Sequence, residues 1–255
     1  MTNIFFRSVG SGPTLILLHG FPFSSELWNT EFLEILSSDF TVIMPDLPGF
    51  GNSKILGRAF SIEDVASHMN SWCDVHRFRD SVIIGHSLGG YVALSMVGLK
   101  PGNFRGLGLF HSTAFPDSDE RKRSRNKAIE FVRSNGALAF TSNFLQPLFA
   151  DKHHREVGRV TEIAGKTSEA TITGYMAAMR DRPDLTGVIR DFDGSTLMIG
   201  GDADPGIPVE IVRELASMAA NCETHILAGM AHMSMAEMPQ DTASIIAEFT
   251  RKSLV

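Results

Sequence analysis

One stretch of the chain restricts its fold more than any other. The apolar run Ser81-Val82-Ile83-Ile84 leads into Gly85-His86-Ser87-Leu88-Gly89-Gly90, and a helix-patterned segment continues to Leu99. A short continuous apolar run bounded by turn residues is the pattern of a strand buried on both faces. Further runs of this kind occur at residues 14–18, 41–44, 107–110, 196–199 and 223–227, with helical patterns between most of them. Strands alternating with helices imply a parallel sheet joined by right-handed crossovers. The expected fold is therefore α/β: a mainly parallel sheet flanked by helices.

The helical signals have identifiable ends. Ser61 reads as a cap with Asp64 at the capping-box position, and Ile62, Val65, Ala66, Met69, Trp72 and Cys73 follow as one apolar stripe. Helices are also expected at residues 88–99, 209–218 and 243–249, and a short strand at 4–6. From about residue 112 the strand signals stop and helical patterns continue to about 187. This predicts a core formed by 1–112 and 188–255, with 113–187 inserted as a helical cap.

Composition excludes several classes. The chain has 255 residues, 43% hydrophobic and 20% charged, which is material for one sizeable globular core rather than a disordered chain. A net charge of −6 argues against a nucleic-acid partner and against a basic membrane-surface protein. No apolar run approaches the ~20 residues of a membrane span, and Met1 to Gly12 lacks the pattern of a signal peptide. Two cysteines, Cys73 and Cys222, are no disulfide framework. The expected location is cytoplasmic.

Gly85-His86-Ser87-Leu88-Gly89 carries the sharpest chemical signal. A serine on a tight strand-to-helix turn needs small neighbours, and the free N–H groups at a helix N-terminus favour developing negative charge. Ser87 is thus a candidate nucleophile. His19-Gly20-Phe21, after the run 14–18, makes the backbone N–H groups of Phe21 and Leu88 candidates for an oxyanion hole. A base and an orienting acid belong further along the chain. His232 lies beyond the run 223–227, and Asp202 and Asp204 lie beyond 196–199, at strand ends where open α/β sheets place their sites. The order Ser, Asp, His suits such a triad.

With His19-Gly20-Phe21-Pro22, the segment 46–53, the 85–90 elbow, Gly201-x-x-Asp204 and Gly229-x-x-His232 together, the sequence resembles the α/β-hydrolase superfamily, in particular its cap-bearing serine esterases and enol-lactonase-like members. The resemblance covers nearly all of the chain outside 113–187. It implies a cofactor-free hydrolase that cleaves a small-molecule carboxylic ester or lactone through an acyl-Ser87 intermediate. It also implies Asp204 as the acid, leaving Asp202 to shape the turn. Serine at position 87 separates the chain from relatives with an aspartate nucleophile. A carbon–carbon bond hydrolase, a perhydrolase and a triad-bearing ligand receptor share the same residues; Leu88, where perhydrolases often carry Met, disfavours the second.

Phe144, Leu148 and Met233 are the substrate-pocket candidates. Phe23, Trp28, Phe115, Leu145, Phe149, Met176 and Met179 fit a pocket or a core equally well. His86 reads as packing and Asp46 as bonding backbone. His153-His154 lacks a second ligand pair, so no metal is expected. The basic run at 121–127 reads as a solvated face of a cap helix, with attraction of an anionic substrate as the alternative.

Overall fold

The computed structural model describes residues 4–57 and 59–255. In chain order, β1 (Phe6–Val9) and β2 (Thr14–Leu18) precede α1 (Thr30–Ser37), β3 (Thr41–Pro45), α2 (Ile62–His76), β4 (Ser81–His86), α3 (Leu88–Leu99) and β5 (Phe104–Phe110). Five helices come next: α4 (Asp119–Asn135), α5 (Ala137–Phe144), α6 (Glu156–Gly165), α7 (Glu169–Arg180) and α8 (Thr186–Asp191). Then β6 (Ser195–Gly201), α9 (Val209–Met218), β7 (Cys222–Leu227), α10 (Ser234–Glu237) and α11 (Pro239–Ser253) complete the chain.

The strands form one sheet in the order β1-β3-β2-β4-β5-β6-β7, parallel except for β1 against β3. Strand β4 lies at the centre and every one of its residues is buried. Alternation along the strands divides the core in two. Ile16, Leu18 and Ile83 face one apolar layer with Trp72, Val92 and Leu94, while Leu15, Leu17, Val82 and Ile84 face the other with Phe32 and Ile246. Both faces of the sheet are therefore covered, which is why its inner strands read as continuous apolar runs.

The capping box forms. Ser61 Oγ accepts from the Asp64 N–H at 3.0 Å and the Asp64 carboxylate accepts from the Ser61 N–H at 2.8 Å. The first strand differs from expectation: it runs from Phe6 to Val9 rather than over residues 4–6. As an edge strand it is only half covered, so Arg7 and Ser8 interrupt the apolar pattern that marks the inner strands.

Helices α4 to α7 form a layer of their own between β5 and α8. Three hydroxyls tie this layer to the loops beneath. Thr167 Oγ1 donates to the Pro22 carbonyl at 2.8 Å, Thr171 Oγ1 to Gly49 at 2.9 Å, and the buried Tyr175 hydroxyl to Pro48 at 2.8 Å. Helix α8 instead packs against α3 and α9, so the boundary expected at 187/188 falls inside a helix that belongs with the core.

Tyr175→Phe leaves the buried Pro48 carbonyl without its partner. The expected loss is about 1–3 kcal/mol of stability, read from the midpoint of urea unfolding. A change below about 0.5 kcal/mol, the range of ordinary surface substitutions, would contradict this anchoring role.

Candidate active site

Ser87 occupies the turn between β4 and α3 with φ 52° and ψ −114°. Such backbone is unusual for a residue with a side chain and costs on the order of 1–3 kcal/mol. Three hydrogen bonds hold it. The Ser87 N–H donates to the Phe110 carbonyl at 2.9 Å, the Ser112 hydroxyl donates to the Ser87 carbonyl at 2.7 Å, and the Gly90 N–H donates to the same carbonyl at 2.9 Å. Space is equally limiting: a Cβ at Gly85 would collide with the backbone of Gly89 and Gly90, and one at Gly89 with the Leu18 carbonyl. The tight turn thus presents Ser87 to the cavity above the sheet.

His232 lies beyond β7 and lines the same cavity. Its Nδ1 donates to Asp204 Oδ2 at 2.7 Å. Asp202 takes no part; its carboxylate accepts from the Gly229 N–H at 2.6 Å and closes the turn. The other Asp204 oxygen accepts from the N–H groups of Gly206 at 2.7 Å and Ile207 at 3.2 Å. Burial alone would raise the Asp204 carboxyl, but the His232 charge and the hydrogen bonds from two imidazoles outweigh it and hold it below the usual carboxylate range.

The second imidazole belongs to His111, a residue that sequence reasoning passed over. It directly follows β5 with φ 50° and is fully buried. Its Nδ1 donates to Asp204 Oδ2 at 2.9 Å, and its Nε2 accepts from the Ser234 hydroxyl at 2.7 Å. The donor atoms of His111, Asp204 and His232 lie within 4.8 Å of one another. Both rings must present a proton to the carboxylate, so the cluster is complete as a hydrogen-bond network. No periodicity marks His111; a histidine one residue past a buried strand was the available signal.

His86 also does more than fill space. Its Nε2 donates to the His232 carbonyl at 3.0 Å and so steadies the loop that carries His232. His19 joins two loops: Nδ1 donates to the Gly20 carbonyl at 2.9 Å and Nε2 accepts from the Leu47 N–H at 3.0 Å. Asp46 bonds backbone, accepting from the N–H groups of Ser25 at 2.7 Å and Asn52 at 2.9 Å. The Phe21 and Leu88 N–H groups have no protein acceptor among the described residues.

The cavity holds about 280 Å³. Phe21, Phe140, Phe144, Leu148, Met176 and Met179 supply its apolar wall. Met233 is not part of it. That side chain is fully buried below, with Phe23, Trp28, Leu145 and Phe149, because the short α10 begins immediately after it and turns it into the core. Phe115 packs against the other core layer. His153 and His154 lie in a turn rather than on a helix, and His154 stacks on Phe149 with ring centroids 6.1 Å apart. The basic face of α4 is largely solvated: Arg121, Arg123 and Lys127 are exposed and Lys122 and Arg125 half-buried. Arg121 and Arg125, one helical turn apart, also line the cavity. A larger groove of about 920 Å³ between α2, α4 and α7 contains neither Ser87 nor His232.

The chain belongs to the alpha/beta hydrolase family, whose model matches residues 15–245. Among its relatives is the pimeloyl-[acyl-carrier protein] methyl ester esterase of Wigglesworthia glossinidia brevipalpis, 25% identical over 267 residues, which span 99% of each chain. A thermophilic esterase from Thermogutta terrifontis has the same fold with a TM-score of 0.92 and 26% identity, over 99% of this chain and 94% of that one. The enol-lactonase of Burkholderia xenovorans shares the fold at a TM-score of 0.88 and 20% identity, over 96% and 95% of the two chains. No helix among the described residues is long and apolar enough to cross a membrane.

Burial lowers His19, His86 and His111 from their ordinary value of 6.5, so folding favours the neutral form of each ring. Below pH 6.5 the unfolded chain binds more protons at these sites than the native one, and stability falls as pH falls. The slope reaches at most about 1.4 kcal/mol per pH unit for each histidine. The urea midpoint is expected to drop clearly between pH 7.5 and pH 5.5. A flat or rising midpoint would show that these rings are not held neutral.

Proposed function

We propose that this hydrolase cleaves carboxylic esters or lactones through an acyl-Ser87 intermediate, with a helical cap formed by α4 to α7 over the site. The observation that carries the reading is the pairing of His232 with Asp204 at 2.7 Å, with His232 and the strained Ser87 facing one cavity. Two relatives of comparable length bear esterase names, which favours the same bond.

Ser87 Oγ attacks the carbonyl carbon while His232 Nε2 accepts its proton. The oxyanion meets the N–H groups of Phe21 and Leu88, which have no backbone acceptor among the described residues. Leu88 is also the first residue of α3, whose positive end favours the developing charge. Collapse breaks the bond to the alkoxy oxygen, and His232 returns the proton to the leaving alcohol. Water then attacks the acyl group with His232 again as base, releasing the acid and restoring Ser87. Asp204 fixes the ring with Nδ1 protonated and Nε2 free to accept. Every proton in the cycle travels through His232, so the scheme calls on no cofactor. Phe140 and Phe144 stack with centroids 5.1 Å apart and meet the Phe21 ring, closing the apolar side against water.

Ser87→Ala is expected to abolish turnover of a simple ester while leaving the unfolding curve cooperative. Labelling of the wild-type protein by a fluorophosphonate should disappear in the same variant. Turnover at the wild-type rate in Ser87→Ala would refute the nucleophile.

The two aspartates are separable. Asp204→Asn should lower kcat by roughly 10⁴, the scale seen when a triad acid is neutralised. Asp202→Asn, which disturbs only the Gly229 turn, should cost far less. Equal losses or the reverse order would overturn the assignment of the acid.

A further inference from the structure

Helix α4 turns one face to the cavity. Arg121, Ser124, Arg125 and Ala128 all line it, at the spacing that stacks side chains along one side of a helix. Two of these residues are cations beside an apolar wall, Arg121 exposed and Arg125 half-buried, and the half-buried one costs free energy unless its charge is paired.

The pairing within the protein is incomplete. Asp117 is the only carboxylate among the described residues that reaches this group, and three guanidinium groups share it. Arg125 forms an ion pair with it, Arg182 binds it at 2.6 Å, and Arg121 Nε stands 3.8 Å away. One negative charge among three positive ones leaves two uncompensated. Asp204 forms no ion pair with any of the three arginines; its oxygens accept from His111, His232, Gly206 and Ile207.

The donors are also only partly used. Arg121 Nη1 donates to the Gly206 carbonyl at 2.7 Å, and Arg125 applies Nε and Nη2 to Asp117. Arg121 Nη2, Arg125 Nη1 and Ser124 Oγ have no protein partner among the described residues. Arg182 is different: it is buried, bound to the Met179 and Phe115 carbonyls, and stacked 4.1 Å from the centre of the Tyr91 ring. Thus Arg182 and Asp117 fix the cluster, while Arg121 and Arg125 keep donors for something that enters the cavity.

We propose that the substrate is a carboxylate-bearing ester, a monoester of a short dicarboxylic acid, whose free carboxylate is held by Arg121 and Arg125 while its ester carbonyl lies at Ser87. This rests on the reading of Ser87 as the nucleophile of an ester hydrolase. Guanidinium forks match carboxylates in geometry as well as charge. A cavity of about 280 Å³ favours a short spacer between the two ends. The spacer would lie along Phe140, Phe144 and Met179. In a protein of net charge −6 the cluster is a local reversal of sign at the site entrance, so the attraction should weaken with salt.

Monomethyl adipate and methyl hexanoate test this directly, because they share an ester end and a spacer and differ in the distal carboxylate. Calorimetry on the Ser87→Ala protein should show the adipate monoester binding at least about tenfold more tightly, the scale of one charge-assisted contact. Most of that advantage should vanish in Ser87→Ala combined with Arg121→Gln, an exposed position whose folding is checked by the unfolding curve. It should also shrink when salt rises from about 50 mM to about 500 mM, a test that needs no arginine variant. Equal affinity for the two esters, or an advantage indifferent to both salt and Arg121→Gln, would overturn the proposal. Wild-type turnover separates this inference from its parent. Hydrolysis of both esters without preference would refute the carboxylate site and leave the hydrolase reading standing. Selective, salt-sensitive binding with no turnover of either would do the opposite.

Discussion

Ser87 sits in backbone that a residue with a side chain ordinarily avoids, and the surrounding structure is arranged to keep it there. The Phe110 carbonyl at the end of β5 accepts from its N–H, and the Ser112 hydroxyl beyond β5 donates to its carbonyl. Both depend on the register of β4 against β5, which pairs Gly85 with Leu109 and His86 with Phe110. A slip of one residue would reverse every side chain on the strand and remove both holds at once. The glycines at 85 and 89 matter for the same reason, since the turn is too tight for a Cβ at either.

The same strand ends assemble the rest of the site. His111 follows Phe110, and its N–H donates to the Ile199 carbonyl on β6 at 2.8 Å, which brings its ring to Asp204 just past the end of that strand. His232 reaches the same carboxylate from beyond β7. The layer above is fastened to this arrangement: the His232 N–H donates to the Leu148 carbonyl at 2.9 Å, and the Glu237 carboxylate accepts from the N–H groups of Ala150 and Asp151. A displacement of the segment at 148–151 therefore pulls on the loop that holds His232. On the proposed reading, cover and chemistry are mechanically joined.

Legibility followed the physics of each part. Strand β2 and the helices Leu88–Leu99 and Val209–Met218 were readable to the residue, while β3, β5 and β6 extend one to three residues beyond the apolar runs that marked them. The edge strand β1 was not, because half of it meets solvent. Ser87 and His232 stood out because each lies next to a glycine-bearing turn at a strand end; the same signal left Asp202 and Asp204 open, the resemblance favoured Asp204, and the structure pairs Asp204 with His232 at 2.7 Å. His111 was invisible because its partners, Asp204 and Ser234, are 93 and 123 residues away in the chain. Met233 was misplaced because adjacency to His232 says nothing of direction; the turn into α10 sends it inward. The basic run is largely solvated, as its charge suggested. That Arg121 and Arg125 also line the cavity was not legible, because the other walls come from distant parts of the chain.

The account stands or falls on a covalent bond to Ser87. An acid-quenched reaction with an activated ester, digested and analysed by mass spectrometry, reads it directly. The account predicts a burst of released alcohol and a peptide containing Ser87 heavier by the acyl group less one hydrogen. It also predicts that neither the burst nor the adduct forms in Ser87→Ala. Steady turnover of the ester with no burst, and with the Ser87 peptide unmodified at every quench time, would contradict it.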